Sequence, residues 1–151
     1  MRIEVSSRVK GSPARRRVRA LMTRIARAIR EPRVGRGSKV EGLRSRVEVS
    51  VLFCGARRMR TLNRRYRRKD RATDVLAFPA EADGLLGDIV VSIPYASRQA
   101  RTRGEPAARE IDRLLLHGFL HLSGYDHETD DGEMDALEKS LRRKLALADA
   151  A

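Results

Sequence analysis

The sequence predicts an α+β fold: about four strands in one sheet, with helices before and after them. Three observations carry this. Residues 45–53 alternate polar and apolar side chains, the period of a half-buried strand. Residues 13–30, 56–66, 106–122 and 130–145 instead place their apolar side chains three and four apart, the period of helices that bury one face. No internal repeat and no composition break divides the 151 residues, so they read as one domain with an aliphatic core, 41% apolar and without tryptophan.

The elements follow in order. Residues 2–6 suit a short first strand. A helix over 13–30 buries Val18, Leu21, Met22, Ile25 and Ile29 and turns arginines outward, with Ser12 as its N-cap and Pro13 at its first position. Residues 31–42 carry Pro and Gly without a period and form a loop. The strand at 45–53 buries Val47, Val49, Val51 and Phe53. The next helix, 56–66, carries Met59, Leu62, Asn63 and Tyr66 on its stripe and runs into the charged loop 67–71. A strand over 73–78 stops at Pro79, 81–84 turn, and 86–92 form another strand. A short helix over 94–101 ends at Gly104. Pro106 opens a helix whose buried stripe is Ile111, Leu114, Leu115, Gly118 and Leu122. Asp130 and Glu133 cap a last amphipathic helix with Met134, Leu137, Leu141 and Leu145 inside and Arg142, Arg143 and Lys144 at the end where the helix dipole favours cations. The final residues fray.

Charge is divided unevenly. Residues 1–75 hold 24 Lys/Arg against 6 Asp/Glu, and residues 76–151 hold 9 against 14. A basic half without a strongly apolar amphipathic anchor points to a polyanion, nucleic acid before membrane. Scattered arginines also fit a biased composition, so the dense cluster at 57–71 is the sharper signal. The single cysteine, Cys54, ends an apolar run and reads as a buried hydrophobe. It allows no disulfide within the chain and suits a reducing, cytoplasmic setting. No segment has the length of a signal peptide's apolar region or of a membrane span.

All three histidines fall within residues 117–127, HGFLHLSGYDH. His117 and His121 are one helical turn apart on one face. Gly124 permits a left-handed turn that ends the helix and lets the chain bring His127 back. This builds a three-imidazole metal site with a position left open, and a zinc ion so held lowers the pKa of a bound water to about 7. The spacing H-x-x-x-H-x-x-G-x-x-H equals that of the metzincin proteases, but Gly118 stands where they carry the glutamate that activates water. The scaffold for metal is kept and the protease's proton acceptor is missing. Gly118 costs about 1 kcal/mol of helix propensity, so it serves either close packing against the sheet or room beside the metal. Asp126 has three roles open to it: orienting an imidazole, acting as a base, or capping the turn. Tyr125 either donates to a substrate oxygen or packs.

The same stretch resembles the metal-binding signature of the YbeY family, bacterial endoribonucleases of rRNA maturation. Leu62-Asn63, Tyr66-Arg67, Lys69-Asp70, Thr73-Asp74-Val75-Leu76, Phe78-Pro79 and Leu86-Gly87-Asp88-Ile89 follow that family's order and spacing, so the likeness runs from about residue 62 to 138. Ala77 departs from it, since Ser is usual there, and the arginine-rich segment before residue 45 is not a family mark. The resemblance implies a zincin-like α+β domain with a four-stranded mixed sheet. It implies one zinc ion on His117, His121 and His127, and single-strand-specific cleavage of RNA in small-subunit rRNA processing and ribosome quality control. Partners would be the rRNA precursor, a ribosomal subunit or assembly factors, with no membrane. The family's functional arginine falls on Arg67, whose planar guanidinium can hold a phosphate through two parallel hydrogen bonds. Arg67 and His117 are thus the catalytic candidates. Arg64, Arg65, Arg68 and Arg71 are either solvated surface or contacts that track phosphates. Two rival readings stand beside this one: a metal-dependent hydrolase of a peptide or ester, and a non-catalytic ribosome-assembly factor with a structural zinc.

Overall fold

A computed structural model describes residues 1–30, 48–80, 84–126 and 128–147. The loop expected at 31–42, the first three residues of the strand expected at 45–53, most of the turn at 81–84, the fraying end and His127 lie outside the described residues. The elements are β1 (Arg2–Ser7), α1 (Arg15–Arg30), β2 (Glu48–Cys54), α2 (Ala56–Arg67), β3 (Val75–Pro79), β4 (Leu85–Ser92), α3 (Ile93–Arg103), α4 (Ala107–Leu122) and α5 (Glu133–Lys144). They form the α+β arrangement expected: one four-stranded mixed sheet in the order β1-β2-β4-β3, with β1/β2 and β2/β4 parallel and β3/β4 antiparallel.

Strand alternation sorts the apolar side chains onto two faces. Val49, Val51 and Phe53, with Ile89 and Val91, turn to the face covered by α1 and α4, where the main core lies. Cys54, Leu76 and Val90 turn to the opposite face, which α2 closes with Met59. Cys54 is fully buried and its thiol is pushed up by that burial, more than nearby Arg58 lowers it.

Helix α4 packs across β3 and β4. Its whole predicted stripe is buried, and Gly118 decides how closely it approaches. A Cβ there would sit 2.8 Å from Cγ2 of the fully buried Ile89, so close packing is the reason for this glycine. Buried Arg113 locks the N-terminal half of α4 to the α3–α4 corner. It pairs with Glu105 and, at 2.6 Å, with Glu110, which Arg103 also reaches at 2.6 Å.

Four local expectations change. Helix α1 starts at Arg15, because the Ser12 hydroxyl does not cap it: that group is engaged at the exit of β1, 2.6 Å from Ser7 Oγ and donating to Val9 O at 2.9 Å. Pro79 is the last residue of β3 rather than the residue after it; β3 is an edge strand, where a missing N–H costs little. Tyr66, on the apolar stripe of α2, is 56% exposed. Helix α5 starts only at Glu133, with Gly132 as its N-cap: Asp130 accepts from the backbone N–H groups of Gly132 (2.8 Å) and Met134 (2.9 Å), but Glu133 Oε2 accepts from Asp131 N–H (3.1 Å), so Asp130 and Glu133 do not cap each other. Gly104 caps α3 in the left-handed region as expected. Among the described residues no helix is long and apolar enough to cross a membrane.

Candidate functional site

A groove of about 500 Å³ runs along the free edge of β3. From one side of the sheet it is lined by His117, Gly118 and His121 of α4, with Asp126 and Glu128 of the following turn. From the other it is lined by Asn63 and Arg67 of α2 and by Lys69 and Arg71. Residues 75–77 of β3 form its floor. The edge of the sheet therefore brings together two parts of the chain that pack on opposite faces.

The two imidazoles converge. His117 Nε2 and His121 Nε2 are 3.2 Å apart, with ring centroids at 4.7 Å. Two nitrogen ligands on a tetrahedral ion, each at its usual bond length, stand about 3.3 Å apart, so the pair fits a zinc-sized cation. The other nitrogen of His117 is already engaged: Nδ1 lies 3.1 Å from Glu138 Oε2. A proton on Nδ1 leaves the Nε2 lone pair facing the groove. Glu138 is buried, and its other oxygen accepts from Arg142 Nη2 at 2.9 Å. Burial alone would push its carboxyl up; the hydrogen bonds to His117 and Arg142 and the positive charge of Arg142 outweigh this and hold it below the usual glutamate value.

Past α4 the chain turns as expected. Gly124 has φ 101°, a conformation that only glycine adopts readily. Tyr125 N–H donates back to Leu120 O at 3.1 Å, and Tyr125 packs partly buried against the core. Asp126 makes the capping contact, one of the roles open to it: its Oδ1 accepts from Glu128 N–H at 3.0 Å. Asp126 and Glu128, on either side of His127, both line the groove.

Arg67 is the last residue of α2. Its Nη2 donates to Ala77 O of β3 at 2.7 Å, which ties the guanidinium to the groove floor. That partner is a carbonyl, which orients the guanidinium, and among the described residues no carboxylate forms an ion pair with it. The loop after it is pinned by buried Asn63, whose Nδ2 donates to Arg71 O at 2.9 Å. Arg60 adds a two-pronged pair to Asp70, at 2.8 and 3.1 Å, whose hydrogen bond holds the Asp70 carboxyl below its usual value. Of the arginines singled out from sequence, Arg67 and Arg71 line the groove. Arg64 lies 3.9 Å from Asp70, Arg65 lies over Tyr66, and Arg68 is the left-handed cap of α2; these three are not among its lining residues.

Lys69, Asn63 and Glu138 were not singled out as site residues. Glu138 had a legible signal. It falls four residues after Met134 and three before Leu141, which puts a carboxylate on the buried stripe of α5, where charge needs a partner.

The model for the family Endoribonuclease YbeY matches residues 16–146. A protein named Endoribonuclease YbeY from Koribacter versatilis is 52% identical over 112 residues, covering 74% of this chain and 72% of that one. Another of that name from Anaeromyxobacter dehalogenans is 46% identical over 133 residues, covering 83% and 69%. A solution structure of TM1509 from Thermotoga maritima superposes with a TM-score of 0.59 at 24% identity, covering 95% and 91%, and shares the fold.

Proposed function

The chain belongs to the Endoribonuclease YbeY family, and from that premise we propose that it cuts single-stranded RNA in the maturation and quality control of small-subunit rRNA. We assign one Zn²⁺ to His117, His121 and His127, and a cytoplasmic setting with a ribosomal subunit or assembly factors as partners. The observation that supports this best is the shared groove: a guanidinium anchored on a backbone carbonyl and two converging imidazoles line the same space.

Each residue has a physical task. Glu138 is a positioning residue, since it holds the His117 ring and its tautomer so that Nε2 faces the groove. The histidines would hold a divalent ion, which would supply Lewis acidity toward a phosphoryl oxygen and lower the pKa of water there. Arg67, anchored on Ala77 O, turns its remaining N–H groups to the phosphate and stabilises charge that develops on it during cleavage. Lys69 and Arg71 hold flanking phosphates without reading sequence. Gly118, pressed on Ile89, leaves no place for the glutamate that peptide hydrolysis would need there.

The test is cleavage of unstructured RNA and of casein by the purified protein. RNA should be cut and casein left whole, and Arg67→Ala should lower RNA cleavage about 100-fold or more, the loss seen when one transition-state donor is removed. Intact RNA with cut casein would transfer the site to peptide hydrolysis. RNA cleavage that survives undiminished in both Arg67→Ala and His117→Ala would place catalysis outside this protein and leave the assembly-factor reading.

A further inference from the structure

Tyr66 carries the largest exposed apolar side chain among the described residues, 56% exposed. Its ring meets Phe78 of β3 edge to face, with centroids 5.3 Å apart and planes inclined at 62°. Arg67 touches the same Phe78 ring, its guanidinium carbon 5.6 Å from the centroid, while Arg65 lies 5.5 Å from the centroid of Tyr66. Phe78 is thus shared between a groove residue and an exposed aromatic, and arginines flank the pair on both sides. Neighbours in sequence on a helix project about 100° apart. Arg67 can therefore face the groove while Tyr66 presents its ring beyond the rim, on the α2 face of the sheet.

We infer that Tyr66, backed by Phe78, is a stacking platform for one base of the RNA strand, beside the phosphate held at Arg67. The inference rests on the RNA reading of the groove and adds a recognition element to it. The base takes the ring face over which Arg65 now lies, and Arg65 swings to the adjoining phosphate. Every base has a π face, so this contact favours unpaired nucleotides over duplex without selecting a sequence. Stacking of one base on an aromatic ring tightens binding about tenfold to a hundredfold.

The chain has no tryptophan, so Tyr66→Trp carries its sole indole. The probes are a short, cleavage-resistant 2′-O-methyl single strand and a strand with the same backbone and no bases. The indole emission should be quenched by the first and not by the second. Tyr66→Leu should weaken binding of the base-bearing strand at least tenfold, leave the abasic strand unchanged, and keep the melting temperature of the parent; Tyr66→Phe should bind as the parent does. A Tyr66→Leu protein that keeps the parent's preference for the base-bearing strand would overturn the platform while leaving the RNA reading standing. If neither strand binds the parent protein at low salt, the RNA reading itself fails and the platform falls with it.

Discussion

Replacing Glu138 by glutamine changes one atom and isolates its task. The carboxylate serves two partners, His117 Nδ1 at 3.1 Å through Oε2 and Arg142 Nη2 at 2.9 Å through Oε1. An amide of the same shape has one acceptor oxygen, so it can satisfy His117 or Arg142 but not both. If the oxygen stays with Arg142, the amide N–H₂ faces His117 and favours the tautomer with its proton on Nε2, the wrong nitrogen for a metal. Loss of such an outer carboxylate costs about tenfold to a hundredfold in metal affinity, or about 1.4–2.8 kcal/mol. Glu138→Ala adds a stability cost of about 2 kcal/mol, between the values for exposed and buried pairs, because it strips Arg142 of its carboxylate. The assay is competition for Zn²⁺ against a chromophoric chelator, with His121→Ala as the reference for a broken site. Glu138→Gln should fall between wild type and His121→Ala. An affinity within twofold of wild type, in a titration where His121→Ala loses the ion, would refute the positioning role. An ion retained by His121→Ala as well would refute the site.

Three further outcomes follow. Gly118→Ala gains about 1 kcal/mol of helix propensity but overpacks Ile89 at 2.8 Å for about 1–3 kcal/mol, so thermal melting should show a net loss, and a raised melting temperature would refute close packing as the reason for the glycine. Burial pushes the Asp112 carboxyl up, against the hydrogen bond and charge of Arg17, and its Oδ1 is buried without a hydrogen-bond partner among the described residues. A raised folded pKa means a contribution to stability that is complete below the unfolded value and lost as pH rises through the folded one. Asp112→Asn should therefore be more stable than wild type at neutral pH and converge with it in acid; denaturant titrations in which it is less stable at neutral pH would show that the Arg17 pair outweighs burial. If Arg67, Lys69 and Arg71 each neutralise one phosphate, log K for single-stranded RNA should fall against log salt with a slope of about −2, and a flat salt response would remove the basic rim as the contact surface.

What was legible in the sequence was set by local rules. The stripe of α4, the alternation of β2 over its described residues, the turn at Gly124 and the cap at Gly104 depend on residues within a turn or two of each other, and they form as read. What was not legible depends on contacts between distant parts of the chain. Ser12 has the chemistry of a cap, but the end of β1 reaches its hydroxyl first. Tyr66 matches the stripe of α2, yet the ring it meets, edge to face, is Phe78 of the short edge strand β3, and it stays exposed. The arginines of 64–71 are alike in composition; the pinning of the loop by Asn63 turns Arg71 into the groove while Arg64, Arg65 and Arg68 stay outside its lining. His117 and Glu138 are 21 positions apart and meet because α5 folds back on α4.

The hydrogen bond from Arg67 to Ala77 O has a consequence for solubility. β3 is an outer strand of the sheet, and an outer strand offers its backbone groups to any other extended chain. Arg67 occupies one of those carbonyls and places a cation beside it, while Pro79 removes an N–H from the same strand. A substitution made to silence the enzyme at Arg67 thus also unguards a sticky edge. Loss of activity in Arg67→Ala should be read beside the light scattering of the same sample, and Arg67→Lys, which keeps the cation but not the planar fork, separates self-association from lost chemistry.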